Sequence, residues 1–123
     1  MQVNALDHVN IQTKDLSASA GFYADILGLR IGNPPAPVTP DQALWLFDRQ
    51  DRAIIHLRAY DTEPGPTGPI DHVALSCSGK AELIERLERR GAEFSVFDGM
   101  PGISLVFTRD PHGVMLELNF RGD

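Results

Sequence analysis

Four side chains in this 123-residue sequence could hold a metal ion together: His8, His56, His72 and Glu117. Imidazole nitrogens combined with one carboxylate make a mixed N/O donor set. Such a set suits Zn, Fe, Mn, Co or Ni better than it suits the all-oxygen shells of Ca or Mg. Cys77 is the only cysteine, which excludes both an intrachain disulfide and a thiolate zinc cluster. The fourth histidine, His112, sits in a Pro-Gly turn and is expected to be solvated rather than a ligand.

Spacing is what groups these residues. Leu6-Asp7-His8-Val9 returns as Ile70-Asp71-His72-Val73, 64 residues later (72 − 8), and His56 and Glu117 are separated by 61 (117 − 56). A repeat of this kind points to duplicated structural units. In a β-strand successive side chains alternate between faces. Extending that alternation back to Leu6 puts Leu6, His8, Asn10 and Gln12 on one face and Asp7, Val9 and Ile11 on the other. By the same rule His72, Ala74 and Ser76 oppose Val73, Leu75 and Cys77. His56 and Arg58 oppose Ile55 and Leu57, and Met115, Glu117 and Asn119 oppose Leu116, Leu118 and Phe120. The apolar faces need helices to cover them, so the candidate ligands share a polar, concave face with Asn10, Arg58, Ser76 and Asn119. Clustering of ionisable groups on one such face is the usual mark of a functional site. Arg58 is placed to anchor a substrate carboxylate or phosphate, Asn10 and Asn119 to orient substrate, and Phe107 to exclude water.

The elements that carry these faces repeat as well. Asp15 can cap a helix bearing Leu16, Ala20, Tyr23 and Leu27, with Gly28 at its end. Ser78 precedes a second helix bearing Leu83, Ile84 and Leu87, with Gly91 as the stop. Three short strand-like runs follow each helix, near 29–31, 43–47 and 53–59, then near 93–97, 103–108 and 114–120. Asp48-Arg49-Gln50-Asp51 and Asp110-Pro111-His112-Gly113 read as the turns before the closing strands. Trp45 and Phe47 lie opposite Leu44 and Leu46, and are expected to pack against the first helix. The proline-rich 33–40 is an irregular loop, and 61–69 is a linker between units. The pattern is βαβββ twice, an α+β chain of one domain over 1–123, with modules at about 1–60 and 70–123.

With a formal net charge of −6 and a sequence pI near 5.1, nucleic-acid and anionic-membrane partners are disfavoured. A small-molecule substrate is favoured. There is no leader-like N-terminal pattern and no apolar run of membrane-spanning length, so the chain is expected to be cytoplasmic.

The segments LDHVNIQTKDLSASAGFYADILGLR and TRDPHGVMLELNF resemble the opening and the closing hairpin of the vicinal oxygen chelate superfamily. That superfamily includes glyoxalase I, methylmalonyl-CoA epimerase, fosfomycin-resistance enzymes, extradiol dioxygenases and metal-free bleomycin-binding proteins. The resemblance implies tandem βαβββ modules forming an open eight-stranded barrel-like cup, a divalent transition metal inside it, and a homodimer whose subunits can share a site. By position His8, His72 and Glu117 match the three recurring ligands and His56 matches the fourth. There the glyoxalase I pattern has glutamate and the epimerase glutamine.

Counting coordination positions separates the chemistries. Four protein ligands on an octahedral ion leave two positions, enough for a substrate with two adjacent oxygens. This is the arrangement of a glyoxalase-like lyase, isomerase or epimerase in which the metal is a Lewis acid and Glu117 moves the proton. If His56 is a base instead of a ligand, three positions open. A ring-cleaving dioxygenase or a thiol transferase then fits. The alternative outside enzymology is a metal-free protein that sequesters a ligand, as in bleomycin resistance.

Overall fold

The computed structural model describes residues 1–122. The chain divides into two compact units, Met1–Pro64 and Gly65–Asp123, with the division inside the proline-rich segment 61–69. In the first unit β1 is Val9–Thr13, α1 Leu16–Leu27, β2 Arg30–Gly32, β3 Ala43–Phe47 and β4 Ala53–Ala59. In the second, β5 is Val73–Cys77, α2 Lys80–Arg90, β6 Phe94–Met100, β7 Ile103–Arg109 and β8 Met115–Arg121. Each unit is thus βαβββ, and the α+β class read from the sequence is the observed one.

Each unit holds one four-stranded sheet, ordered β1-β4-β3-β2 and β5-β8-β7-β6. The first strand of each unit runs parallel to the last, Asn10 beside His56 and Ala74 beside Glu117. The remaining pairs are antiparallel. The helix between the first and second strands provides the crossover that a parallel pair requires. It also explains why the residue at the start of a unit meets one near its end.

Strand alternation sorts the faces. On β4, Ile55 and Leu57 are fully buried, while His56 is half-buried and Arg58 exposed. On β8, Leu116, Leu118 and Phe120 are buried, and Met115, Glu117 and Asn119 are only partly covered. Helix α1 lies on β2, β3 and β4 and buries Ala20, Phe22, Tyr23 and Ile26. In α2 the buried pair is Leu83 and Leu87. A buried hydrogen bond between the Thr13 and Ser19 hydroxyls, 2.7 Å long, pins the end of β1 to the first turn of α1.

The helix ends differ between units. Asp15 caps α1 by accepting from the Ala18 N–H at 3.0 Å. At α2 the cap residue is Gly79, in the left-handed region at φ 86° with no side-chain cap bond, and not the Ser78 expected from its side-chain chemistry. Without a Cβ, glycine takes that conformation at little cost, and here chain direction decides over capping chemistry. Both helices close on the expected glycines, Gly28 and Gly91, at φ 67° and 68°.

The two closing hairpins use one device. Asp48 Oδ1 accepts from the N–H groups of Gln50 and Arg52 at 2.9 and 3.0 Å. Asp110 Oδ1 accepts from those of His112 and Val114, both at 2.9 Å. These carboxylates set the register of β4 and β8, and so the face on which His56 and Glu117 emerge. His112, expected to be solvated, is half-buried because its turn folds back around Asp110.

Candidate metal-binding residues and their partners

In the first unit, three rings form a continuous stack. The imidazoles of His8 and His56 lie with centroids 3.7 Å apart and planes within 15°. On the other side of His56, the Trp45 indole lies at 4.0 Å and within 7° of parallel. The register explains the second contact, because Trp45 and His56 are directly opposed on β3 and β4. Trp45 therefore belongs to the face of the candidate site and does not pack on α1 as expected; the helix side of β3 is taken by the fully buried Leu46. Phe47 lies beside Trp45 and carries the Arg30 guanidinium over its ring at 4.4 Å.

His8 precedes β1, and its Nδ1 lies 2.6 Å from Asp7 Oδ2. Burial first, and the neighbouring His8 second, hold the His56 imidazole below the ordinary histidine value of 6.5. Asn10 and Arg58 are exposed; Asn10 is the cross-strand partner of His56, and Arg58 is the partner of Gln12 and Ala43.

The second unit repeats the plan with a carboxylate in place of the stacked ring. His72 precedes β5, and its Nδ1 lies 2.8 Å from Asp71 Oδ2. Its Nε2 is 3.5 Å from Glu117 Oε2 on β8. The Asp71 hydrogen bond, assisted by Glu117, raises the His72 imidazole above 6.5. Phe107 is directly opposite Glu117 on β7, and Leu105 is opposite Asn119. The Asn119 Oδ1 is buried without a hydrogen-bond donor among the described residues.

These geometries test whether an ion suits the donors. Two ligands at about 2.1 Å from one ion stand about 3.0 to 3.4 Å apart, depending on whether the shell is octahedral or tetrahedral. His72 and Glu117 are within about 0.5 Å of that spacing. The Asp71 contact ties up Nδ1 and leaves Nε2 as the donor, the carboxylate-histidine arrangement usual behind metal ligands. Asp7 does the same for His8. His56 lies against the face of the His8 ring and not at the edge that carries its nitrogens. Within either unit, no group of three His, Cys, Asp or Glu side chains suited to a metal forms among the described residues.

Asp7, Asp71 and Trp45 were not in the set read from the sequence. The signal for the two aspartates was the repeated Asp-His dipeptide. Strand alternation does not reach His8 or His72, because β1 begins at Val9 and β5 at Val73, so adjacent Asp and His are free to turn toward each other.

Comparison with known proteins places the chain. A family model described as the Glyoxalase/Bleomycin resistance protein/Dioxygenase superfamily matches residues 5–118, and the chain belongs to that superfamily. Among solved structures, a glyoxalase/dioxygenase from Nostoc punctiforme superposes with a TM-score of 0.79 at 18% identity, covering 97% of this chain and 92% of that one. A putative glyoxalase family protein from Bacillus anthracis gives 0.77 at 17% identity, covering 98% of each chain. Lactoylglutathione lyase from Agrobacterium tumefaciens gives 0.69 at 22%, covering 98% of this chain and 96% of that one. At these identities the shared property is the fold. None of the helices is long and apolar enough to cross a membrane among the described residues.

Proposed function

We propose that the protein is a divalent-metal-dependent enzyme of the glyoxalase type, a lyase, isomerase or epimerase acting on a small substrate with two adjacent oxygens. The observation that carries this reading is the duplicated Asp-His device, each aspartate holding Nδ1 of the histidine beside it at 2.6 and 2.8 Å. Metal-ligating histidines usually hold their other ring nitrogen against a carboxylate in this way. His8, His72 and Glu117 are the residues that would hold the ion, in a chain expected to form a homodimer. When bound, the ion supplies Lewis acidity to the substrate oxygens. Glu117, partly covered and opposite Phe107, would move the proton at the neighbouring carbon, its carboxylate loosening from the ion to act as base. Arg58, Asn10 and Asn119 bind and orient substrate. Zn, Fe, Mn, Co and Ni all suit two imidazoles and a carboxylate.

The test is solvent deuterium incorporation into a panel of α-hydroxy carbonyl compounds by metal-loaded protein, followed by NMR. Incorporation next to the carbonyl, lost in Glu117→Gln, is the expected result. A second reading, ring cleavage with dioxygen, is favoured by one observation: with His56 stacked on His8, the protein set falls to three and three octahedral positions open. Oxygen uptake with a catechol, and no deuterium incorporation, would replace the first reading with the second.

A further inference from the structure

The first unit places an aromatic sandwich where the second unit places a carboxylate, and the difference lies in one residue type. We infer that His56 is a positioning residue that clamps the His8 ring from Trp45, and that it is not a fourth metal ligand. The inference rests on the metal reading above; with His56 outside the shell three positions would be open, room for a substrate with two adjacent oxygens under either reading.

Three observations carry it. The parallel stack of His56 on His8 keeps any ion in the His8 plane about one ring thickness out of the His56 plane. His56 is also fixed from behind: Trp45 covers its second face, and the two are cross-strand partners in the middle of the β3–β4 ladder. Turning His56 edge-on to reach an ion would break both stacks together. Finally, His8 lies just before β1, with Asp7 at one edge of its ring and His56 on one face to set its direction. Stacked aromatic pairs contribute enough to bias a side chain's orientation but little compared with a coordinate bond.

This separates His56→Phe from His56→Ala. Phenylalanine keeps a flat face between Trp45 and His8 but has no donor atom; alanine removes both. Titration of the metal-free full chain with Co²⁺, followed by calorimetry and by visible absorption of the bound ion, reads the difference. The expected result is affinity within about threefold of wild type for His56→Phe with an unchanged Co²⁺ spectrum, and a loss of about three- to tenfold for His56→Ala. Trp45→Ala should resemble His56→Ala, through the same clamp. A loss of a hundredfold or more in His56→Phe, with a changed spectrum, makes His56 a ligand and overturns the inference while leaving the metal reading intact. No Co²⁺ uptake by wild type overturns both. In the metal-free protein, the His56 ring protons should be shifted upfield by the Trp45 indole and return in Trp45→Ala; absence of that shift overturns the stack itself.

Discussion

An imidazole whose Nδ1 faces a carboxylate has its tautomer and its direction set together, leaving Nε2 for an acceptor role. His8 and His72 both have Nδ1 against a carboxylate, and the two aspartates call for the same mutational scrutiny as the histidines they hold. Asp71→Asn should weaken divalent-metal affinity by about 10- to 100-fold without altering the fold, measured by calorimetry with circular dichroism as the control. The histidines should also titrate in separable order in the metal-free protein. Asp71 and Glu117 raise His72, whereas burial and His8 lower His56. NMR should therefore find His72 still charged at a pH where His56 is already neutral, one above and one below 6.5. The linkage signs are opposite. The His72 contribution to stability is complete below its unfolded value and fades as pH rises through the raised folded one. His56 disfavours the fold as pH drops below its unfolded value toward the depressed folded one. Finding His56 above His72 would contradict the assigned environments.

Elements convert those residue positions into a face. The Asp48 and Asp110 turns fix the register of β4 and β8, and a one-residue slip in either would send His56 or Glu117 to the helix side. Asp110 is almost fully buried and accepts two backbone N–H bonds. Asp110→Ala should cost about 1–3 kcal/mol in denaturant unfolding, two hydrogen bonds at roughly 0.5–1.5 kcal/mol each. Leu57→Ala, at a fully buried β4 position, should cost about 2–5 kcal/mol. If Asp110→Ala proves neutral, the turn does not set the register. These elements were legible in the sequence for physical reasons. Period-two alternation identified the faces of β4 and β8, and glycines needing the left-handed region marked both helix ends. What was not legible depended on context beyond alternation. Trp45 looked like helix packing because its ring is apolar, and only the cross-strand pairing with His56 puts it on the polar face. Gly79 displaced Ser78 as the cap because the path of the chain from β5 into α2 needs a positive φ. The Asp-His contacts lie just outside the strands, where alternation no longer applies.

At the scale of the whole molecule, the chain is one βαβββ unit written twice, with the two copies diverged at the position that matters most for chemistry. The first copy has the His56 imidazole there, beside Asn10, and the second the Glu117 carboxylate, beside Ala74. The superfamily match across residues 5–118 spans both copies, and the proposed ligands His8, His72 and Glu117 come from both. The most direct measurement is therefore divalent-metal binding to the metal-free full chain, with substitutions made in each unit. The account predicts about one Zn²⁺ or Co²⁺ per chain, with at least about a hundredfold loss of affinity in each of His8→Ala, His72→Ala and Glu117→Ala. Absence of uptake, or binding that survives loss of the donor in one unit, would contradict it.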